Sequence, residues 1–235
     1  MRLAIMQPYF LPYVGYFQLM SSVDKFVLLD DVTFINRGWI NRNRIAVNGA
    51  PSWLTLPLAQ ASQNRLINQI EIVDDPSWKR KTVRTVELSY GSAPFVHQIL
   101  PLFSDMLEDA RGSLSEFLFR QLRRVADYIG IDTTIEATAT IYPKEGRSGQ
   151  ERILDICARE GATGYVNLPG GRDLYDPRLF ASAGIELLFL EPNLPALTLR
   201  HSGDDGPSLS ILDLLMLNSA ATIREATGMC RLDRA

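Results

Sequence analysis

The sequence predicts an α/β protein with a mostly parallel, Rossmann-like (nucleotidyltransferase-like) sheet and helices, extended by a β-hairpin and a central helical insertion. Three observations predict it. Short apolar, β-leaning runs alternate with helix-compatible stretches at both ends of the chain, as strands joined by crossover helices do. Two further runs flank Asn48-Gly49, a strong hairpin signal. Between residues 76 and 130, amphipathic helical periods follow one another with no strand between them.

Taken in order, Arg2 to Met6 reads as a strand, Tyr13 to Ser22 as a helix with apolar Val14, Phe17, Leu19 and Met20, and Lys25 to Leu29 as a second, parallel strand. Arg44 to Pro57 is the hairpin, and Ile67 to Val73 a further strand. Pro76 to Tyr90 begins a helix after Asp74-Asp75, with proline in the first turn where its missing N–H costs nothing. Ala93 to Asp109 and Ser113 to Ile129 follow as helices, broken at Gly112 and ended by Gly130. Then come a strand at Thr133 to Ala139, a polar loop at Tyr142 to Gly149, and a helix at Ser148 to Arg159. A strand at Gly164 to Leu168, a helix at Asp176 to Ala183 and a strand at Ile185 to Leu190 repeat the alternation, and helices at Ser208 to Leu217 and Ser219 to Thr227 close the chain. With no repeat, low-complexity tract or clear linker, residues 1–235 read as a single α/β domain in which 76–130 is a helical insertion or layer.

A chain of 235 residues can bury one substantial core, and 46% hydrophobic with 22% charged residues describes a globular one. A net charge of −3 argues against a nucleic-acid partner, which would need a strongly basic face. No apolar run reaches the length of a membrane span, and the first residues read as a strand rather than a secretory signal, so a cytoplasmic location is expected. Cys157 and Cys230 lie in apolar, helix-like contexts and read as buried thiols. With His97 and His201 the sole histidines and no CxxC, no metal site is expected. The sequence specifies no cofactor and leaves the oligomeric state open.

The candidate site begins where the first strand ends. Gln7-Pro8-Tyr9-Phe10-Leu11-Pro12-Tyr13-Val14-Gly15-Tyr16 places prolines, polar-tipped aromatics and a glycine at a strand's carboxyl end, where α/β folds bind ligands. Gly15 would admit a ligand close to backbone, and Tyr13 and Tyr16 are spaced to share a helix face. Asp30 and Asp31 end the second strand, and at least one is expected to serve as a base or to hold an acceptor amine or hydroxyl. Arg37, Trp39, Asn41, Arg42 and Asn43 offer forked donors around an indole face. Gly170 and Gly171, followed by Tyr175, resemble an anion cradle. Lys144, Arg147, Ser148 and Arg152 gather at a helix start that suits phosphate, and His201 is the more reactive of the two histidines.

The spacing Tyr13-Val14-Gly15-Tyr16 resembles the HxGH signature of the nucleotidyltransferase superfamily, with tyrosines in place of both histidines. A tyrosine donates a hydrogen bond but carries no positive charge near neutral pH, so acyl or aminoacyl transfer suits the slot at least as well as nucleotidyl transfer. The stretches Met6 to Met20, Asp24 to Ile45 and Trp53 to Pro57, with Gly161 to Phe180, Gly184 to Phe189 and Ser210 to Leu215, closely resemble the WbqC-like family. The resemblance implies a bacterial cytoplasmic protein associated with surface-polysaccharide (O-antigen) or specialised-metabolite biosynthesis. Its matching polar positions are Gln7, Tyr13, Tyr16, Asp30, Asp31, Arg37, Trp39, Asn41, Arg42 and Asn43, with Tyr175 and Asp176 later.

Together these lines lead to the expectation of a transferase acting on a small-molecule substrate, nucleotide-linked or carrier-linked. Asp30, Asp31, Tyr13, Tyr16 and His201 are the candidate catalytic residues. Gln7, Gly15, Arg37, Trp39, Asn41, Arg42, Asn43, Arg147, Gly170, Gly171 and Tyr175 are the candidate binding residues. A non-catalytic nucleotide-, sugar- or carrier-binding protein of a biosynthetic complex is the alternative.

Overall fold

The computed structural model of the chain describes residues 1–193, 197–198 and 209–235. Strand β1 (Arg2–Met6) leads through the elbow into helix α1 (Val14–Ser21), which returns the chain to β2 (Lys25–Leu28), parallel to β1 with Leu3 beside Lys25 and Met6 beside Leu28. The hairpin follows as β3 (Arg42–Val47) and β4 (Ala50–Thr55). Asn48 and Gly49 both take positive φ, as the tight turn between twisted strands requires. Two short strands, β5 (Leu58–Ala59) and β6 (Glu71–Ile72), precede α2 (Pro76–Tyr90) and α3 (Val96–Glu108). Asp75 caps α2 by accepting from the backbone N–H groups of Ser77 and Trp78. The two-residue β7 (Gly112–Ser113) pairs with β6, and α4 (Leu114–Ile129) ends at Gly130 in the left-handed conformation, φ 85°.

The chain then alternates: β8 (Thr134–Glu136), α5 (Gly149–Arg159), β9 (Gly164–Asn167), α6 (Pro177–Ser182) and β10 (Glu186–Pro192). Helices α7 (Ile211–Leu217) and α8 (Ala220–Gly228) lead to β11 (Cys230–Arg234). The main sheet has six strands in the order β11-β10-β9-β1-β2-β8, all parallel except β11. This is the mostly parallel, Rossmann-like α/β sheet that the sequence predicts. Its strand order reverses between β1 and β9, so the loops leaving the carboxyl ends of those two strands flank the crevice where open α/β sheets take ligands.

Successive strand residues face opposite sides, and each side has its own core. Ala4, Phe26, Leu28, Val166 and Leu188 join the cluster that holds α1, α4, α7 and α8, together with residues of α2, α3 and the hairpin. Leu3, Ile5, Val27, Tyr165 and Leu187 join the cluster holding α5 and α6. No described helix is long and apolar enough to cross a membrane.

Three local readings are corrected. Ile67 to Val73 is a 3₁₀ turn at Ile67–Gln69 followed by the two residues of β6. Thr133 to Ala139 is a three-residue strand that gives way to a 3₁₀ turn at Ala139–Ile141. Cys230 lies on strand β11, not in a helix; that strand carries Arg231, Asp233 and Arg234, and charge suits a sheet edge.

Candidate functional site at the carboxyl edge of the sheet

The elbow after β1 is pinned from three directions. The Leu11 N–H donates to Gln121 Oε1 on α4 (2.7 Å), Asn43 Nδ2 on β3 donates to the carbonyls of Phe10 (3.2 Å) and Leu11 (2.7 Å), and the Phe10 N–H donates to the Trp39 carbonyl (3.1 Å). These bonds hold buried Leu11 at φ 44°, a conformation an L side chain rarely adopts. Gln121 and Asn43 are both buried, so the ties work where water does not compete.

Tyr13 caps the start of α1 in an extended conformation and is half-buried, whereas Tyr16 is fully buried. The two therefore do not share an exposed helix face. Tyr16 donates its hydroxyl to the Gln7 carbonyl (3.0 Å) and packs against Tyr9, with ring centroids 5.7 Å apart. A Cβ at Gly15 would stand 2.4 Å from Tyr13 Cε2, so the space over this glycine belongs to the Tyr13 ring rather than to a ligand. Burial raises the Tyr9, Tyr13 and Tyr16 phenols above the ordinary tyrosine value, Tyr16 the furthest, and the proximity of Tyr9 adds to the shift at Tyr13 and Tyr16. All three remain neutral donors.

The carboxylates after β2 differ sharply. Asp30 accepts from Ser115 Oγ at the head of α4 (2.7 Å), from Thr138 Oγ1 (2.8 Å) and from the Ala139 N–H (3.0 Å). Both its oxygens are committed, and the residue ties α4 to the segment after β8. Asp31 is also buried. Its Oδ2 lies 3.3 Å from Arg152 Nη2 and 3.6 Å from Lys144 Nζ, while Oδ1 has no hydrogen-bond partner among the described residues.

Arg152 and Lys144 lead to a cleft of about 290 Å³ on the second face of the sheet, at the start of α5. Leu29, Val32, Ile153 and Leu174 supply its apolar wall; Lys144, Arg147, Arg152, Ser148, Gln150 and Tyr175 supply its polar groups. Lys144 and Arg147 are brought together by a tight turn in which the Arg147 N–H donates to the Lys144 carbonyl (2.8 Å), with Glu145 and Gly146 at positive φ. Ser148 stands at the helix N-cap without a side-chain cap bond. Opposite, Tyr175 is hydrogen-bonded to the Tyr165 hydroxyl (3.0 Å) and to Asn167 Nδ2 (2.9 Å), which anchors this wall to the end of β9. Burial raises the phenols of Tyr175 and, further, Tyr165. Burial also pushes the thiol of Cys157, on the buried side of α5, up to about 12, so it remains a thiol.

The hairpin residues are mostly internal ties. Arg42 donates to the Arg37 and Gly38 carbonyls and stacks 4.0 Å over the Trp53 ring, which itself lies 5.4 Å from Trp39. Asn41 donates to the Leu56 carbonyl (3.2 Å). Arg37 is exposed at φ 60°. Gly170 and Gly171 lie in a 3₁₀ turn after β9; Gly170 is open, and Gly171 packs under the Asn167 amide. His201 lies outside the described residues. Spacing gave no hint of Gln121, Ser115 and Thr138, each brought in from a distant element.

A sequence model of the WbqC-like protein family matches residues 7–225. A Mycobacterium tuberculosis relative, described as "Uncharacterized protein Rv1507c", is 29% identical over 231 residues, covering 98% of this chain and 99% of its own. No solved structure matches.

Proposed function

The chain belongs to the WbqC-like protein family, and from that premise we propose that it is a transferase of bacterial surface-polysaccharide or specialised-metabolite biosynthesis. It moves an acyl, aminoacyl or nucleotidyl group from a nucleotide-linked or carrier-linked donor to a small acceptor at the carboxyl edge of the sheet. The observation that carries the reading is the elbow. A left-handed Leu11 held by buried amides from two distant elements, at the point where strand order reverses, is strain of the kind that functional sites retain, and this supports the reading. The neutral phenols of Tyr9 and Tyr13 would donate to a developing oxyanion. Asp31, which keeps an unpartnered oxygen, takes the role of proton acceptor, and Asp30 that of a structural support.

The commitment of Asp30 and the burial of Tyr16 favour a second reading, a non-catalytic binding protein of a biosynthetic complex. A mass-spectrometric product search with activated donors and amino-sugar or hydroxyl acceptors separates the two. The transferase reading expects a product that Tyr13→Phe diminishes while the thermal midpoint holds. Tight donor binding with no product from any acceptor would leave the binding reading.

A further inference from the structure

Resting on the placement of the site at the carboxyl edge, we propose that the cleft at the start of α5 binds the phosphate group of a phosphate ester whose organic part is apolar. Four observations converge. First, Lys144, Arg147 and Arg152 all line the cleft, and no aspartate or glutamate does among the described residues. The carboxylates that neutralise these cations stand behind them: Asp31 beside Lys144 and Arg152, Glu145 and Asp155 beside Arg147. The carboxylates are thus set back from the cleft, whose own lining is cationic or neutral among the described residues.

Second, the cleft contains the first residues of an eleven-residue helix whose N-cap serine makes no cap bond. Unsatisfied first-turn N–H groups and the helix dipole favour an anion there. Third, Arg152 is 3% exposed, and its Nε–H has no partner among the described residues although its Nη groups bind the Pro143, Ala139 and Tyr142 carbonyls. A buried N–H left unpaired is costly, so the Arg152 guanidinium keeps a full charge and one unused donor directly behind the cleft surface. Fourth, Leu29, Val32, Ile153 and Leu174 also line the cleft, and Leu174 is 67% exposed as the structure stands. That leaves apolar surface for the ester's organic part to cover. At about 290 Å³ the cleft is at the small end of ligand pockets and fits a phosphate with one ring or short chain.

The cleft, rather than Arg42 of the hairpin, then holds the donor's phosphate, because Arg42 spends its guanidinium on backbone carbonyls. Isothermal titration calorimetry with inorganic phosphate, phenyl phosphate and acetate tests this on the full-length protein. Phenyl phosphate should bind more tightly than inorganic phosphate, and acetate more weakly than either. Lys144→Ala and Arg147→Ala, both partly exposed side chains, should each weaken phosphate binding about tenfold, as loss of a charge-assisted hydrogen bond does, and Arg147→Lys should recover part of it. Leu174→Ser should remove the advantage of phenyl phosphate alone. Unchanged phosphate affinity in both cation variants, or acetate binding as tightly as phosphate, overturns the proposal without touching the elbow. Phosphate binding that the cation variants weaken, in a protein whose turnover survives Tyr13→Phe, would instead uphold the cleft and remove the catalytic reading of the elbow.

Discussion

The two sides of the carboxyl edge are built on opposite principles. On the first face the elbow is closed: Leu11 is buried, Tyr16 is buried, and the ties on Leu11 run to elements remote in sequence. On the second face the start of α5 is open, with Lys144, Arg147 and Ser148 contributed by one short stretch of chain and Arg152 one helical turn further on. Buried, neutral hydrogen bonds fix geometry, because breaking one leaves a desolvated group unpaired. Exposed ion pairs fix little, because water and salt replace them. The elbow therefore sets position, and the cleft supplies charge.

The severest way to break the positioning side is Asp30→Ala. It strands the Ser115 hydroxyl and the Ala139 N–H and takes one of its partners from the Thr138 hydroxyl, which keeps Thr140, and should cost about 3 kcal/mol of unfolding free energy in urea titration. A loss below about 1 kcal/mol would mean that water replaces the carboxylate and that Asp30 is not a tie. Asn43→Ala comes next, at about 2 kcal/mol, since two elbow carbonyls lose their donor. The elbow should loosen with it. Amide exchange at Leu11 should quicken relative to the strands of the main sheet, and equal protection in variant and parent would show that the ties to Gln121 and Trp39 hold the elbow without Asn43.

What the sequence shows of this contrast follows from where each tie comes from. Helix α2 is legible to the residue because its signals are local: Asp75 caps and Pro76 begins it. The cations of the cleft are legible for the same reason. The commitment of Asp30 is not, because its donors lie 85 and 108 residues away. Nor are the pins on Leu11, 110 residues away on α4 and 32 away on β3. Gly15 misleads in the same manner: a glycine at a strand end suggests ligand approach, and only the fold shows the Tyr13 ring over it. Strand β11 escapes notice because an edge strand needs one apolar face and tolerates charge on the other, which blurs its alternation.

A milder change sharpens the electrostatic side of the comparison. Tyr16→Phe removes one hydrogen bond, to the Gln7 carbonyl, and should cost about 1 kcal/mol at neutral pH. Because burial raises Tyr16 well above the ordinary value of 10.0, the unfolded chain loses this proton first. The folded protein then binds more protons than the unfolded one, so stability falls as pH rises past 10. The parent should lose stability more steeply than the variant in that range, by up to about 1.4 kcal/mol per pH unit. Parallel slopes would place the Tyr16 hydroxyl in water.

The smallest expected effect on stability is also the most diagnostic. Arg147 is partly exposed, pairs with Glu145 at 2.6 Å and lies 3.8 Å from Asp155. Those neighbours raise its pKa, the hydrogen bond to Glu145 first and the charge of Asp155 second, but an exposed pair exchanges freely for water. Arg147→Ala should therefore leave the urea midpoint where it is in low salt and in high salt alike. A cation that contributes nothing to folding yet lines a cleft with no carboxylate in its described lining is placed for something other than the fold. A clear drop in midpoint that added salt abolishes would make the Glu145–Arg147–Asp155 pairing a structural clasp on α5, and the open side of the edge would then be built on the same principle as the closed one.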